Sequence, residues 1–174
     1  MIMKHKLLLL YSWFVRTLLI WLPDVPFIMR FRGWLYGLGM KSCGKNFQVA
    51  HDVNIKCLDG MSVGTNCYVA NNNIILGSGT IVIESEVQIG PNCVLASGNH
   101  VSINGSYYNR EGDVGSICLC KGSWVAANCT LAKGAVLPNN SALAANSFLG
   151  TELSKPNSIY GGVPAKLIKS NIPS

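Results

Sequence analysis

The sequence predicts an all-β protein, a parallel β-helix preceded by an apolar helical segment, and three observations carry that prediction. From Val49 onward an aliphatic residue recurs every six positions. Within each six, the fourth position is repeatedly Asn or Gly and the fifth is small. The 174 residues include 18 Gly but only 13% charged side chains, about half the roughly 25% of an average soluble domain. A hydrophobic share of 49% argues against disorder. Gly and Asn throughout would weaken a helical bundle, and the lack of a three-residue glycine period excludes collagen.

Residues 1–44 form the apolar segment. Positions 7–22 (LLLLYSWFVRTLLIWL) follow Lys4 and Lys6 and close at Pro23. A secretory signal would be followed by a small-residue cleavage site, which is lacking here. A spanning helix needs about 20 apolar residues, and a charge such as Arg16 at mid-run costs at least ~2.5 kcal/mol. Residues 26–40 mix Phe27, Phe31, Trp34 and Tyr36 with Arg30 and Arg32, a composition suited to a helix lying among lipid headgroups. The chain carries 14 Lys+Arg against 8 Asp+Glu, a formal charge of +6. Lys4, Lys6, Arg16, Arg30 and Arg32 fall in the first 32 residues, where Asp24 is the only acid. That excess suits peripheral contact with an anionic membrane surface. No basic stripe interleaved with aromatics runs through the rest of the chain, so nucleic acid is not an expected partner. The plain alternative is that both stretches pack on the rest of the protein or on a partner subunit.

The repeats occupy residues 45–160. Aliphatic residues open units at 49, 55, 63, 69, 75, 83, 89, 95, 101, 119, 125, 131, 137, 143 and 149, with two-residue slips before 63 and 83. The opener points inward, and the small fifth residue (Cys67, Cys93, Cys129, Ala135, Ser141, Ser147) fits beside it in a narrow tube, a thiol serving as a small hydrophobe. The fourth residue (Asn66, Asn72, Asn92, Gly98, Asn128, Gly134, Asn140, Asn146) suits a left-handed corner. Three such units make one coil of a parallel β-helix. The seven cysteines form no CxxC pair, and Cys118 and Cys120 lie closer than ordinary metal-ligand spacing. Free thiols in a reducing cytoplasm are expected, with no metal.

Function must come from where the pattern breaks. After Gly98-Asn99-His100 and Val101 the period lapses over 104–116 (NGSYYNREGDVGS), an expected excursion loop beside His100. GSWVAAN follows at 122–128 and GGVPAKLIK at 161–169. In that order these segments resemble the left-handed β-helix hexapeptide acyltransferases, in their galactoside and maltose O-acetyltransferase branch. The apolar, basic N-terminal extension is more similar to the bacterial surface-polysaccharide O-acetyltransferases.

The resemblance implies a left-handed parallel β-helix ending in a C-terminal GVPAK tail at 161–174, for which a short helix is expected. It implies direct acetyl transfer from acetyl-CoA to an alcohol, with His100 as general base and the Ala127 backbone N–H as oxyanion donor. Ala127 and Ala145, 18 residues apart and hence one coil apart, would line the coenzyme groove. Lys166 and Lys169 match basic positions near the coenzyme phosphates, and Trp124 would edge the pocket. Asn71 partly matches a sugar-contacting segment, and Tyr107, Tyr108 and Arg110 would meet the sugar from the loop. The acidic acceptor-binding residues of the galactoside enzymes have no counterpart evident in the sequence. A homotrimer is implied, because sites in this branch form between neighbouring subunits.

These implications combine into an O-acetyltransferase acting on a sugar of a bacterial surface polysaccharide or its lipid-linked precursor. It would sit in the cytoplasm, peripherally on the inner face of the cytoplasmic membrane. The alternatives are a non-catalytic hexapeptide scaffold, or an acetyltransferase for a small free acceptor such as serine or a simple sugar. A zinc-dependent carbonic anhydrase of this fold would need three histidines on adjacent coils, and only His51 and His100 lie in the repeats.

Overall fold

The computed structural model describes residues 2–108 and 112–170. Beyond the helices the chain passes in turn through three sheets. Sheet A stacks Ser42–Cys43, Met61–Val63, Thr80–Ile83, Ser116–Leu119 and Val136–Leu137. Sheet B stacks Gln48–Val49, Tyr68–Val69, Gln88–Ile89, Trp124–Val125 and Ala142–Leu143. Sheet C stacks Asn54–Ile55, Ile74–Leu76, Val94–Ala96, Thr130–Ala132 and Phe148–Leu149. Pairing within these stacks is parallel and links each coil to the next, about 4.8 Å along the axis. The first strand belongs to Ser42, slightly before the onset that the six-residue spacing marks.

The repeat explains both wall and corner. From Val49 to Leu149 the openers within the coils are buried, and so are Cys67, Cys93, Cys129, Ala135, Ser141 and Ser147 beside them. Asn66, Asn72, Asn92, Asn128, Asn140 and Asn146 hold φ between 52° and 61°, the left-handed region that Asn tolerates at little cost. Glu86 takes the same corner with φ 67°, a position the composition of the repeat does not single out.

The slips and the excursion share one edge of the prism, between sheets C and A. Leu58–Gly60 forms a short 3-10 turn there, and Gly77 turns the next coil with φ 123°. A Cβ on Gly79 would stand 1.9 Å from the Gly115 carbonyl oxygen, so only glycine lets the following coil stack. The excursion is longer than the lapse in periodicity indicates. The chain leaves the coil after Ser97 and rejoins it at Ser116. Gly98–His100 pairs antiparallel with Gly112–Val114, so Gly98 is a strand residue rather than a corner. Val101 lies outside the core.

The expected C-terminal helix is not formed. Ser158–Gly161 adds to sheet B parallel to Ala142–Leu143, and Lys166–Ser170 folds back antiparallel upon it. The GGVPA turn is pinned to the last coil, with Phe148 N–H donating to Gly162 O at 3.0 Å and Ala165 N–H to Phe148 O at 2.8 Å. Strand pairing thus satisfies backbone groups that a few helical residues would leave open.

Two helices, α1 (Ile2–Leu19) and α2 (Pro26–Gly37), cover the first coil. Pro26 opens α2, where its missing N–H costs nothing. Val15, Met29 and Tyr36 enter the core. Gly33 allows the close approach of α2, since a Cβ there would lie 1.9 Å from Phe47 O. Tyr11 donates to Leu35 O at 2.6 Å, and Ser12 donates to Ile55 O. The opposite faces leave Trp13, Phe14, Phe27, Phe31 and Trp34 exposed, as is Trp21 in the turn between the helices. Among the described residues, no helix is long and apolar enough to cross a membrane.

Candidate functional site

The corner between sheets B and C repeats one motif on each coil, and its third position stacks His51, Asn71, Pro91, Ala127 and Ala145. The N–H of this position takes no part in the coil-to-coil ladder. The neighbouring residues donate instead, as Ala126 N–H does to Leu143 O at 2.9 Å and Asn128 N–H to Pro91 O at 3.0 Å. Proline is tolerated at 91 for that reason. Among the described residues nothing accepts from Ala127 N–H.

In the first coil the same N–H is used, and its partner is an anion. His51 N–H donates to Asp24 Oδ1 at 2.8 Å. Arg32 Nη1 reaches the same oxygen at 2.9 Å. Asp24 Oδ2 accepts from His51 Nδ1 at 2.7 Å and from Asn71 Nδ2 at 2.8 Å. Burial alone would raise the Asp24 pKa, but the hydrogen bonds from His51 and Asn71 and the charges of His51 and Arg32 outweigh it and hold the carboxyl below its ordinary range. Because a carboxylate only accepts, His51 Nδ1 donates to Asp24 Oδ2. Arg32 is 0% exposed and anchored by Val49 O at 2.6 Å and Leu22 O at 2.9 Å.

This cluster joins the turn between the helices to coils one and two. Asp24 lies 27 residues from His51 and 47 from Asn71, so no sequence period links them. The usable signal was the isolation of Asp24 among five bases. The structure therefore pairs Asn71 with an acidic side chain, Asp24, that the sequence pattern does not link to it.

Trp124, Ala145, Lys166 and Lys169 gather along the same flank. Trp124, 53% exposed, is in register with Ala142, then Ile159 and Lys169. Lys166 pairs with Gly161, which packs against Ala144 beside Ala145. Ala127, Ala145 and Lys166 thus climb one edge, with Trp124 and Lys169 on the adjoining face of sheet B.

His100 lies elsewhere. It is exposed on the excursion hairpin at the edge between sheets C and A, with Tyr107 and Tyr108 on the same excursion, Tyr108 at 99% exposure. Arg110 lies outside the described residues. Asp113 pairs with Lys133 of the next coil, and Gly115 N–H donates to Ser97 O at 2.9 Å, which fixes the base of the hairpin. A six-residue side at about 3.3 Å per residue keeps His100 far from the Ala127 edge of its own chain. Within one protomer the structure does not bring the two together.

The coils and their asparagine corners define a left-handed β-helix of hexapeptide repeats, similar to the galactoside and maltose O-acetyltransferase branch. The sequence is 25% identical over 131 residues to the galactoside O-acetyltransferase of Escherichia coli K12, covering 72% of this chain and 62% of that enzyme's length. No protein-family profile matches. A hexapeptide-repeat acetyltransferase of Vibrio cholerae, solved in complex with acetyl coenzyme A, superposes with TM-score 0.81 at 19% identity, covering 95% of this chain and 87% of that one. A maltose O-acetyltransferase of Clostridium difficile 630 gives TM-score 0.81 at 19% identity over 95% of this chain and 88% of its own. The likeness to these solved structures establishes the fold.

Proposed function

We propose that the protein is an acetyl-CoA-dependent O-acetyltransferase, acting on a sugar hydroxyl of a surface polysaccharide or its lipid-linked precursor. The observation that carries this reading is the unspent Ala127 N–H, on an edge where the equivalent N–H of His51 already holds a carboxylate. A corner donor that accepts negative charge in one coil is suited to a developing oxyanion in another. His100 takes the proton of the acceptor hydroxyl as its oxygen attacks the thioester carbonyl. Ala127 N–H steadies the charge on that carbonyl oxygen, and collapse releases the coenzyme thiolate, which recovers the proton from the imidazolium. Lys166 and Lys169 hold the coenzyme phosphates, and the flat Ala145 corner admits its pantetheine arm.

Because His100 and Ala127 occupy different edges, the complete site forms between two copies, consistent with a trimer. Sheet C borders both edges, and its outer face carries Ile74, Val94, Thr130 and Phe148 in register, a largely apolar column for contact between copies. Asp24, His51 and Asn71 then receive the sugar, with Tyr107 and Tyr108 of the facing copy above it. Similarity to a galactoside and a maltose O-acetyltransferase favours a sugar over serine.

Calorimetric titration with acetyl-CoA tests the donor. We expect saturable binding that weakens about tenfold or more in Lys166→Ala and is blocked in Ala145→Trp. Silent titration of the wild-type chain would favour the scaffold alternative.

The lipid-linked acceptor rests on the helices. Trp21, 88% exposed, and Phe27 flank Asp24 in sequence, so the acceptor cluster borders the aromatic surface. Lys4, Lys6 and Arg30 are exposed on the same helices. Removing residues 1–40 would also strip Arg32 and Tyr36 from the core, so surface substitutions are the cleaner test. Trp13→Ser with Trp21→Ser should abolish co-sedimentation with anionic vesicles while leaving the melting temperature unchanged. Undiminished sedimentation of the variant would rule out these aromatics as the contact, and a wild-type chain that stays in the supernatant would place the protein off the membrane.

A further inference from the structure

The proposed reaction leaves the Cys118-Leu119-Cys120 segment unused. Cys67, Cys93 and Cys129 fill the inward positions where small residues are needed, whereas Cys118 and Cys120 both face outward from sheet A and are half-buried. Alternate residues of a strand share a face, so the one-residue spacing that argues against a metal site along the sequence brings the two thiols together in space. Their Sγ atoms lie 3.8 Å apart. Two sulfurs each 2.3 Å from a tetrahedral zinc stand about 3.8 Å apart.

A third ligand comes from the preceding coil. Ile83 is in register with Leu119, which sets Glu84 beside Cys120. A carboxylate oxygen of Glu84 and the two sulfurs all fall within 4.8 Å of one another. Glu84 Oε2 also accepts Lys121 N–H at 2.8 Å, which holds the carboxylate over the pair. A disulfide is the poorer geometry: residues two apart on a strand have Cα atoms about 6.6 Å apart, near the outer limit for a bridge.

We propose that Glu84, Cys118 and Cys120 form a surface site for a thiophilic divalent cation of the zinc type, with solvent water completing a tetrahedral shell. The departure from the metal-free expectation comes from strand geometry. The site lies at the edge between sheets A and B, away from both His100 and Ala127. It ties Glu84 to the coil that follows the excursion, bracing the wall from which the hairpin departs.

Binding must displace the thiol protons to solvent. Burial, then the neighbouring Cys120 and Glu84, push the Cys118 thiol up to about 12, and burial also raises Cys120. The charged groups facing the pair are Glu84 and Glu152, with Lys121 alongside, itself 3.8 Å from Glu86. Because a thiol must give up its proton to ligate the cation, affinity should increase as pH rises, with up to two protons released per cation.

The test is titration of the full, reduced chain with Co2+. The expected result is one equivalent bound per chain, with a thiolate-to-cobalt charge-transfer band and visible d–d bands, both displaced by Zn2+. Cys118→Ser and Cys120→Ser should each abolish the band, and Glu84→Gln should weaken binding about tenfold or more. Zn2+ should also protect Cys118 and Cys120 of the wild-type chain from alkylation, read by peptide mass mapping, which does not depend on how the variants fold. A wild-type chain that develops no band, a band that survives in the double serine variant, or unprotected thiols would overturn the proposal.

Discussion

His100→Ala should reduce acetyl transfer by about 10²- to 10⁴-fold in kcat, the usual contribution of a positioned general base. Acetyl-CoA affinity should be unchanged, because His100 stands on the excursion hairpin and not on the edge of Ala127, Ala145 and Lys166. The fold should also be unchanged, since the ring is exposed and the hairpin is held at its base by the backbone pairing of Gly98–His100 with Gly112–Val114 and by Asp113–Lys133. Steady-state kinetics beside calorimetry separate these effects. Equal losses of coenzyme binding and turnover would give His100 a binding role instead.

Arg32→Ala should be the most destabilising single change in the helical cap. The guanidinium is fully buried and serves Asp24, Val49 O and Leu22 O together. Removing the buried guanidinium leaves a cavity and takes the donor from Val49 O and Leu22 O, while Asp24 keeps its His51 and Asn71 partners, at a cost of about 2–5 kcal/mol. Denaturant melts measure this loss, and a change below about 1 kcal/mol would mean the pair behaves as a surface contact. The same pair sets an acid limit. Asp24 titrates below its ordinary range in the folded chain, so it contributes stability above the unfolded pKa of about 3.9. That contribution is lost as pH falls through the lower folded value. Asp24→Asn should flatten the stability profile in that acid window while leaving its shape above pH 5 unaltered.

Much of the fold was legible because its determinants are local and repeated. A buried aliphatic, a small neighbour and an Asn corner recur in each unit, so Asn92 or Cys129 announces its place without tertiary knowledge. The excursion was legible as a lapse, but its true start was not. Gly98 and Val101 keep the period by residue type, while the backbone of Gly98–His100 pairs with Gly112–Val114 and carries Val101 away from the coil, a choice made by strand pairing across the loop. The C-terminal hairpin escaped for a related reason: Ser158–Gly161 follows the sheet that Ala142–Leu143 supplies, and nothing within residues 161–174 encodes that neighbour.

The candidate site divides in the same way. His100, Ala127, Ala145 and Lys166 were found through motifs carried by consecutive residues. Asn71 was found, but its partner was not. Asp24 reaches it only because α2 docks through Gly33 and Arg32, and the charge pattern of the helices alone pointed to a membrane surface. The separation of His100 from the Ala127 edge is likewise invisible in one dimension, because it depends on which corner of a coil a residue turns.

That division is the central claim, and mixed assemblies test it most directly. His100→Ala lacks the base, and Ala127→Trp blocks the coenzyme edge. Each variant alone should be nearly inactive. Co-assembled in equal amounts, they should regain activity, because an intact His100 on one copy then faces an intact Ala127 edge on its neighbour. Activity that stays at the level of the separate variants would contradict the account, placing both residues of each site within a single chain.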